Sequence, residues 1–439
     1  MSDKIEFQIK NLGVPKFKSP LQLSTVRGDN IFTFISETDK LVFDTSLEGY
    51  TQCLANNEEP LCLEKAGPRQ NIHFEPKNFN AAIVTCGGLC PGINNVIRGI
   101  VMALHYFYDV KKILGVPYGF EGLNPAMGHG FIELTPDKVK DIHQFGGTIL
   151  GSSRGAQDVS LMVDTLVEND IQMLFTIGGD GTLKGCNAIG EEIMKRGLDI
   201  SVVGIPKTID NDVDIIDKSF GFETAFDIAS PILKDAHNEA HGAYNGISIV
   251  KLMGRDSGFI AASASLAMPV VNFVLVPEMD FNLYGENGFL EILKNRLETK
   301  HHAVIVVAEG AGQHLFEKDD IVTDASGNVQ HDDIGLFLKQ KIKEYFSEVF
   351  PVTIKYIDPS YIIRSAAANS GDSVFCSSLA YQAVHGAMSG KTQFVVGKVN
   401  DKFVYLPISA VVSKRKKIDL ESGFWFAVLQ STGQPFSIK

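Results

Sequence analysis

The chain has 439 residues, 44% hydrophobic and 21% charged, with a formal net charge of −12 at pH 7. This is an ordinary globular composition, and a length about three times a common single-domain size predicts two packed lobes. The acidic balance argues against general nucleic-acid binding, which needs clustered Lys and Arg, but a few local cations can still hold a small anionic substrate. The N-terminal "MSDKIEFQIKNLG" has no basic region followed by an apolar run, and no stretch approaches about 18 uninterrupted apolar residues, so no export or spanning segment is expected. Cysteines at 53, 62, 86, 90, 186 and 376 follow no disulfide-framework spacing, which points to a reducing, cytoplasmic setting, and the terminal "FSIK" is not a peroxisomal address.

Residues 1–78 are charged, with scattered prolines and no glycine-rich loop. They read as an extension that packs on the main body or on a partner subunit. From Asn80 onward a strand, a glycine turn and a helix recur. "AAIVTCGGLCPGINNVIRGIVMAL" passes from an apolar run through a turn to helical spacing that opens at Asn94. "IQMLFTIGGDGT", "ISVVGIPKTIDND", "GISIVKLMGRDSG" and "AVIVVAEGAG" repeat the pattern. Continuous apolar strands alternating with helices predict an α/β fold of mostly parallel sheets covered on both faces, with ligands at the carboxyl ends of the strands.

Four of these loops carry chemistry. In "CGGLCPGIN" the glycines let backbone N–H groups approach a phosphate, although a tight strand-to-helix turn would need the same residues. Its Cys86–Cys90 pair has no matching pair elsewhere, so zinc is not expected. In "GGDGT", Asp180 can hold Mg2+ against phosphate oxygens and Gly181 leaves room for a nucleotide; the same string occurs in NAD kinases and diacylglycerol kinases. "PKTIDNDVD" puts Asp210 and Asp212 beside Lys207 and Thr208, supplying a candidate general base, a metal contact and a cation, against the plainer reading of a solvated acidic loop. In "LMGRDSG", Arg255 can neutralise a transferring phosphoryl group or make an ordinary surface salt bridge. "GAMSGKT" ends like a P-loop but is one residue short of the spacing and follows a helix, so a helix ending at Gly390 is the better reading.

Taken in order, GGLCPGIN, GGTILGSSR, GGDGT, PKTIDND, MGRDSG, the AEG strand end and IDPSYIIR form a set. Over about residues 80–415 the sequence resembles the phosphofructokinase superfamily, in particular the long plant and trypanosomatid branch of ATP-dependent 6-phosphofructokinases. The resemblance implies two Rossmann-like three-layer lobes and transfer of the γ-phosphate of ATP to the 1-hydroxyl of fructose 6-phosphate, with Mg2+ as cofactor. It makes Asp210 the base, with Thr208 and Asp212 beside it holding substrate and metal-bound phosphates. Lys207 and Arg255 become the cations of the catalytic group. Asp180 becomes the Mg2+ contact, and Gly87, Arg154, Gly155, Gly179, Gly181 and Thr182 surround the donor phosphates. Met253, Gly254 and Glu309 would hold the fructose ring, and Lys355, Tyr361 and Arg364 the 6-phosphate. Lys355 and Tyr361 replace an arginine and a histidine of shorter bacterial enzymes. Gly246 stands where those enzymes lend an arginine across subunits, and Phe120 replaces a tyrosine against the donor.

The resemblance also frames the choice of donor. Pyrophosphate enzymes carry an Asp after GGD, where Gly181 stands here and leaves room for ATP. Lys207 is typical of pyrophosphate enzymes, but plant and trypanosomatid ATP enzymes pair it with this glycine and keep IDND. ATP is therefore the expected donor, with a pyrophosphate-dependent phosphofructokinase as the alternative. An NAD kinase would explain GGDGT but not the other motifs, and a degenerate regulatory subunit would have lost Asp180, Asp210 or Arg255. By analogy the donor lobe takes 79–221 and 363–415, the sugar-phosphate lobe 222–362 and 416–439, and the protein is an allosteric homo-oligomer, tetramer or dimer. Sedoheptulose 7-phosphate is a second candidate acceptor.

Overall fold

In a computed structural model of the chain, residues 7–316 and 331–439 are described; the first six residues of the 1–78 extension and residues 317–330 of the 222–362 segment lie outside them. The chain forms two compact units, the first comprising 1–208, 213–220 and 370–414, the second 209–212, 221–369 and 415–439. Among the described residues no helix is long and apolar enough to cross a membrane.

The first unit is built on a nine-stranded sheet. Its centre is five parallel strands in the spatial order Phe394–Val399, Ser201–Pro206, Ile171–Gly178, Asn80–Thr85 and Lys112–Val116. Ser201–Pro206, Ile171–Gly178 and Asn80–Thr85 are apolar runs read from the sequence, and most residues of all five strands are buried, as a sheet covered by helices requires. Chain order reverses between Asn80–Thr85 and Ile171–Gly178, which makes the gap between them a topological switch point. Register pairs Thr85 with Ile177 and Gly178 with Pro206, so the three strands end level and release their loops side by side.

Residues from the 1–78 segment complete this sheet. Lys40–Val42 and Cys62–Lys65 add antiparallel strands beyond Lys402–Pro407. Behind them Lys391, only 1% exposed, pairs with Glu37 (3.0 Å) and Glu64 (2.5 Å), and Arg69 reaches the same two carboxylates at 2.9 and 2.8 Å. The lysine of the P-loop-like "GAMSGKT" is thus spent on an internal ion network, following a helix that spans Ser370–Met388.

The second unit has four parallel strands in the spatial order Phe273–Leu275, His302–Ala308, Gly246–Leu252 and Thr353–Ile357. The helices Phe222–His241 and Phe259–Ala267 pack on each other and on this sheet. Leu252 lies opposite Ala308, so the loops beginning at Met253 and Glu309 leave the sheet at one level.

Candidate active site

At the switch point of the first unit, two glycine-rich loops each lead into a helix. The helix Ile93–Met102 starts after Gly92, whose φ of 102° and whose crowding against Cys376 Sγ (2.7 Å from a would-be Cβ) admit only glycine. The helix Asp180–Lys195 starts after Gly179, so free N–H groups and the positive end of the helix dipole face the loop. Lys207 follows the third strand; its N–H donates to Gly178 O (2.9 Å) and its Nζ donates to Gly88 O (2.7 Å). Gly87 lies within reach of the same ammonium, and a Cβ on Gly88 would meet the Arg154 guanidinium at 3.6 Å. Gly87 is also tied to the "GSSR" loop, its N–H donating to Ser153 O (3.1 Å) and its carbonyl accepting from Ser152 Oγ (2.6 Å).

The first unit therefore brings Gly87, Arg154, Gly179, Thr182 and Lys207 to one end of the sheet. Gly155 and Gly181 face open space there, with no heavy atom within 4 Å of a would-be Cβ. Thr208 is held through its carbonyl by Ser219 Oγ (2.5 Å). Phe120 is buried and packs against Gly185 in the second turn of the Asp180 helix. Asp180 is 26% exposed and pairs with Lys184 one turn on (2.9 Å). A half-exposed carboxylate beside a phosphate-type loop suits Mg2+, which takes one or two carboxylates and fills its remaining positions with phosphate oxygens and water. Among the described residues no group of three or more acidic, His or Cys side chains is placed to hold a metal ion.

In the second unit, Asp210 and Asp212 flank Asn211, which is buried and turns at φ 57°. Asp210 Oδ2 accepts from the Arg255 N–H (3.3 Å), and Ser257 Oγ donates to Asp210 O (3.0 Å). The loop that carries Arg255 needs Gly254: its φ is 131° and a Cβ would come within 2.5 Å of Ser257 O. Gly310 N–H donates to Gly254 O (3.0 Å), and Glu309 N–H to Leu252 O (2.9 Å), which locks the AEG loop against it. Burial, then the Asp212 and Glu309 carboxylates, push the Asp210 carboxyl up to about 7, against the Arg255 hydrogen bond and the Arg364 charge. The arrangement is a buried carboxylate basic enough to accept a proton near neutrality, held by the Arg255 backbone and within the field of the Arg364 charge.

Asp210, Asp212, Arg255, Glu309 and Arg364 thus form one electrostatic group. Met253 is fully buried just past the strand end. Arg364 closes a short helix, Ser360–Arg364, on which Tyr361 is 82% exposed. Lys355 stands apart, opposite Ser248 in mid-strand and paired with Glu239 at 3.6 Å. Sequence reasoning missed Arg415, which hydrogen-bonds Asp212 and lies 3.4 Å from Asp256. It sits in a basic run, Lys414–Lys417, that has no motif to mark it.

Comparison with known proteins supports the same reading. A family model described as phosphofructokinase matches residues 80–387. The chain is 49% identical over 445 residues to an ATP-dependent 6-phosphofructokinase of Borreliella burgdorferi, covering 100% of this chain and 99% of the relative. It is also 49% identical over 374 residues to ATP-dependent 6-phosphofructokinase 5, chloroplastic, of Arabidopsis thaliana, covering 85% and 69%. The crystal structure of a pyrophosphate-dependent phosphofructokinase from Marinobacter aquaeolei shares the fold, with a TM-score of 0.68 over 82% of this chain and 93% of that one at 21% identity. With its loops in family order and its whole length matched at near-half identity, this chain belongs to the phosphofructokinase family.

Proposed function

We propose that this chain is an ATP-dependent 6-phosphofructokinase, which converts fructose 6-phosphate and ATP to fructose 1,6-bisphosphate and ADP, with Asp210 as the base. The sugar 1-hydroxyl oxygen forms a bond to the γ-phosphorus, and the bond from that phosphorus to the bridging oxygen breaks. Its electron pair leaves with ADP, and the hydroxyl proton passes to Asp210. The observation that carries this reading is the Asp210 carboxylate, fastened to the Arg255 backbone and with its proton affinity raised to about 7. Such transfers depend on positioning and charge stabilisation more than on covalent chemistry by the protein.

Lys207 and the helix N-termini after Gly92 and Gly179 would bind the donor phosphates, and the Arg255 guanidinium would neutralise the group in flight. Asp180 would hold Mg2+, which when bound neutralises charge on the terminal phosphates. Arg364 would take the 6-phosphate, bidentate recognition of phosphate being what a guanidinium does best. The open space at Gly181 favours ATP over pyrophosphate, as do the names of the near relatives. A cytoplasmic location is part of the same reading.

Steady-state phosphorylation of fructose 6-phosphate with Mg2+, supplying ATP in one series and pyrophosphate in the other, tests it. Turnover with ATP alone is expected. Turnover with pyrophosphate alone would overturn the donor and leave the acceptor chemistry standing; turnover with neither would overturn the activity.

A further inference from the structure

Residues 415–418 lie beyond the stretch that the family model matches, yet they are knit into the loops that carry Asp210 and Arg255. Arg415 hydrogen-bonds the Asp212 carboxylate through Nη1 and lies with Nε 3.4 Å from Asp256 Oδ2. The next residue, Lys416, donates its N–H to Asp212 O (2.9 Å), and its ammonium sits 5.2 Å from the centre of the Phe259 ring. Two residues later the Ile418 N–H donates to Glu278 Oε1 (2.8 Å). That carboxylate also accepts from the Gly258 N–H (3.1 Å), at the start of the helix that follows the Arg255 loop.

Asp212 is two residues from the proposed base, and Asp256 follows the proposed phosphoryl cation directly. One guanidinium therefore joins the two loops whose relative placement transfer depends on, and its planar fork can serve two carboxylates at once where a lysine ammonium would be a point charge. Asp212 is 5% exposed in its side chain and Arg415 33%, so the pair is shielded from water more than a surface ion pair.

We infer that Arg415 is a positioning residue for phosphoryl transfer, fixing the Asp210 and Arg255 loops relative to each other through Asp212 and Asp256. The inference rests on the proposed activity and goes beyond it, because no motif of the family-matched region contains this residue.

The test compares wild type, Arg415→Gln, Arg415→Lys and Arg415→Gln/Asp256→Asn by steady-state kinetics, with thermal unfolding in parallel. A misplacement of reacting groups by about 1 Å costs roughly 100-fold in rate, so Arg415→Gln is expected to lose about 10- to 100-fold in kcat. KM for each substrate should stay within about threefold, because the loss falls on the transition state. Its Tm should stay within about 3 °C of wild type. Arg415→Lys should recover part of the rate, and the double variant should lose no more than Arg415→Gln, the signature of coupled residues. A kcat for Arg415→Gln within about twofold of wild type would overturn the inference. So would a rate loss that follows a large fall in Tm and is not recovered by Lys, since that is what a purely structural role predicts. If wild type itself fails to phosphorylate fructose 6-phosphate, the proposed activity falls and this inference with it; an active wild type beside an unimpaired Arg415→Gln overturns the positioning role alone.

Discussion

In the proposed role of base, Asp210 must be ionised to accept a proton and basic enough to keep it. Burial and two neighbouring carboxylates raise its pKa to about 7, so in the free enzyme it is neutral and useless as a base below that value and ionised above it. kcat/KM for fructose 6-phosphate should therefore fall along a one-proton limb as pH drops through about 7. In Asp210→Ser that limb should vanish, and kcat should drop by about 100- to 10,000-fold with little change in KM for the sugar. A variant that keeps the limb would remove Asp210 from the role. At Gly181 the prediction concerns the donor: Gly181→Asp puts bulk and negative charge into space that is now open, and ATP turnover should be lost, so an unchanged KM for ATP would refute the argument. Both proposed roles could be put forward from the sequence because each residue lies in a short, contiguous loop whose residue types suggest a chemistry. Arg415 is not legible, because its partner Asp212 is 203 positions away and nothing in "SKRKK" tells a bridging guanidinium from solvated charge.

Among the elements, those the sequence announced are the fully buried ones. "AAIVT", "MLFTIG" and "SVVGIP" are near-continuous apolar runs because both faces of each strand are covered, and each is a central strand of the first sheet. Lys40–Val42 and Cys62–Lys65 escaped notice for the opposite reason: they are short and only partly buried, and Cys62–Lys65 joins the sheet through a strand far along the chain, Lys402–Pro407, with Lys40–Val42 pairing in turn on Cys62–Lys65. Helix packing adds a constraint that no pattern shows. Gly99, inside the Ile93–Met102 helix, lies so close to the Ser370–Met388 helix that a Cβ would come within 2.6 Å of the Ala380 Cβ. Gly99→Val should force the two helices apart and cost about 1–3 kcal/mol, read as a lower urea midpoint; unchanged stability would mean the pair can separate freely.

Across the whole molecule, the described part of the 1–78 segment, residues 7–78, is structurally part of the first unit, although it precedes the family-matched region. Deleting it would remove the Lys10–Asn11 strand and the Glu37 and Glu64 carboxylates from around Lys391, and would bare the Lys402–Pro407 strand. Losing these contacts and exposing a strand edge should make the truncated chain melt well below the intact one or aggregate; an unchanged Tm by circular dichroism would contradict the assignment. The chain passes between its two units at 208/209, 212/213, 220/221, 369/370 and 414/415, so neither unit is one continuous piece of chain. Phe394–Val399, which pairs with Ser201–Pro206 in the middle of the first sheet, is translated only after every strand of the second unit. On the ribosome the Ser201–Pro206 strand must therefore wait as a bare apolar edge while some of the longest segments of the protein are made, and the newborn chain depends on protection from aggregation until its closing stretch emerges.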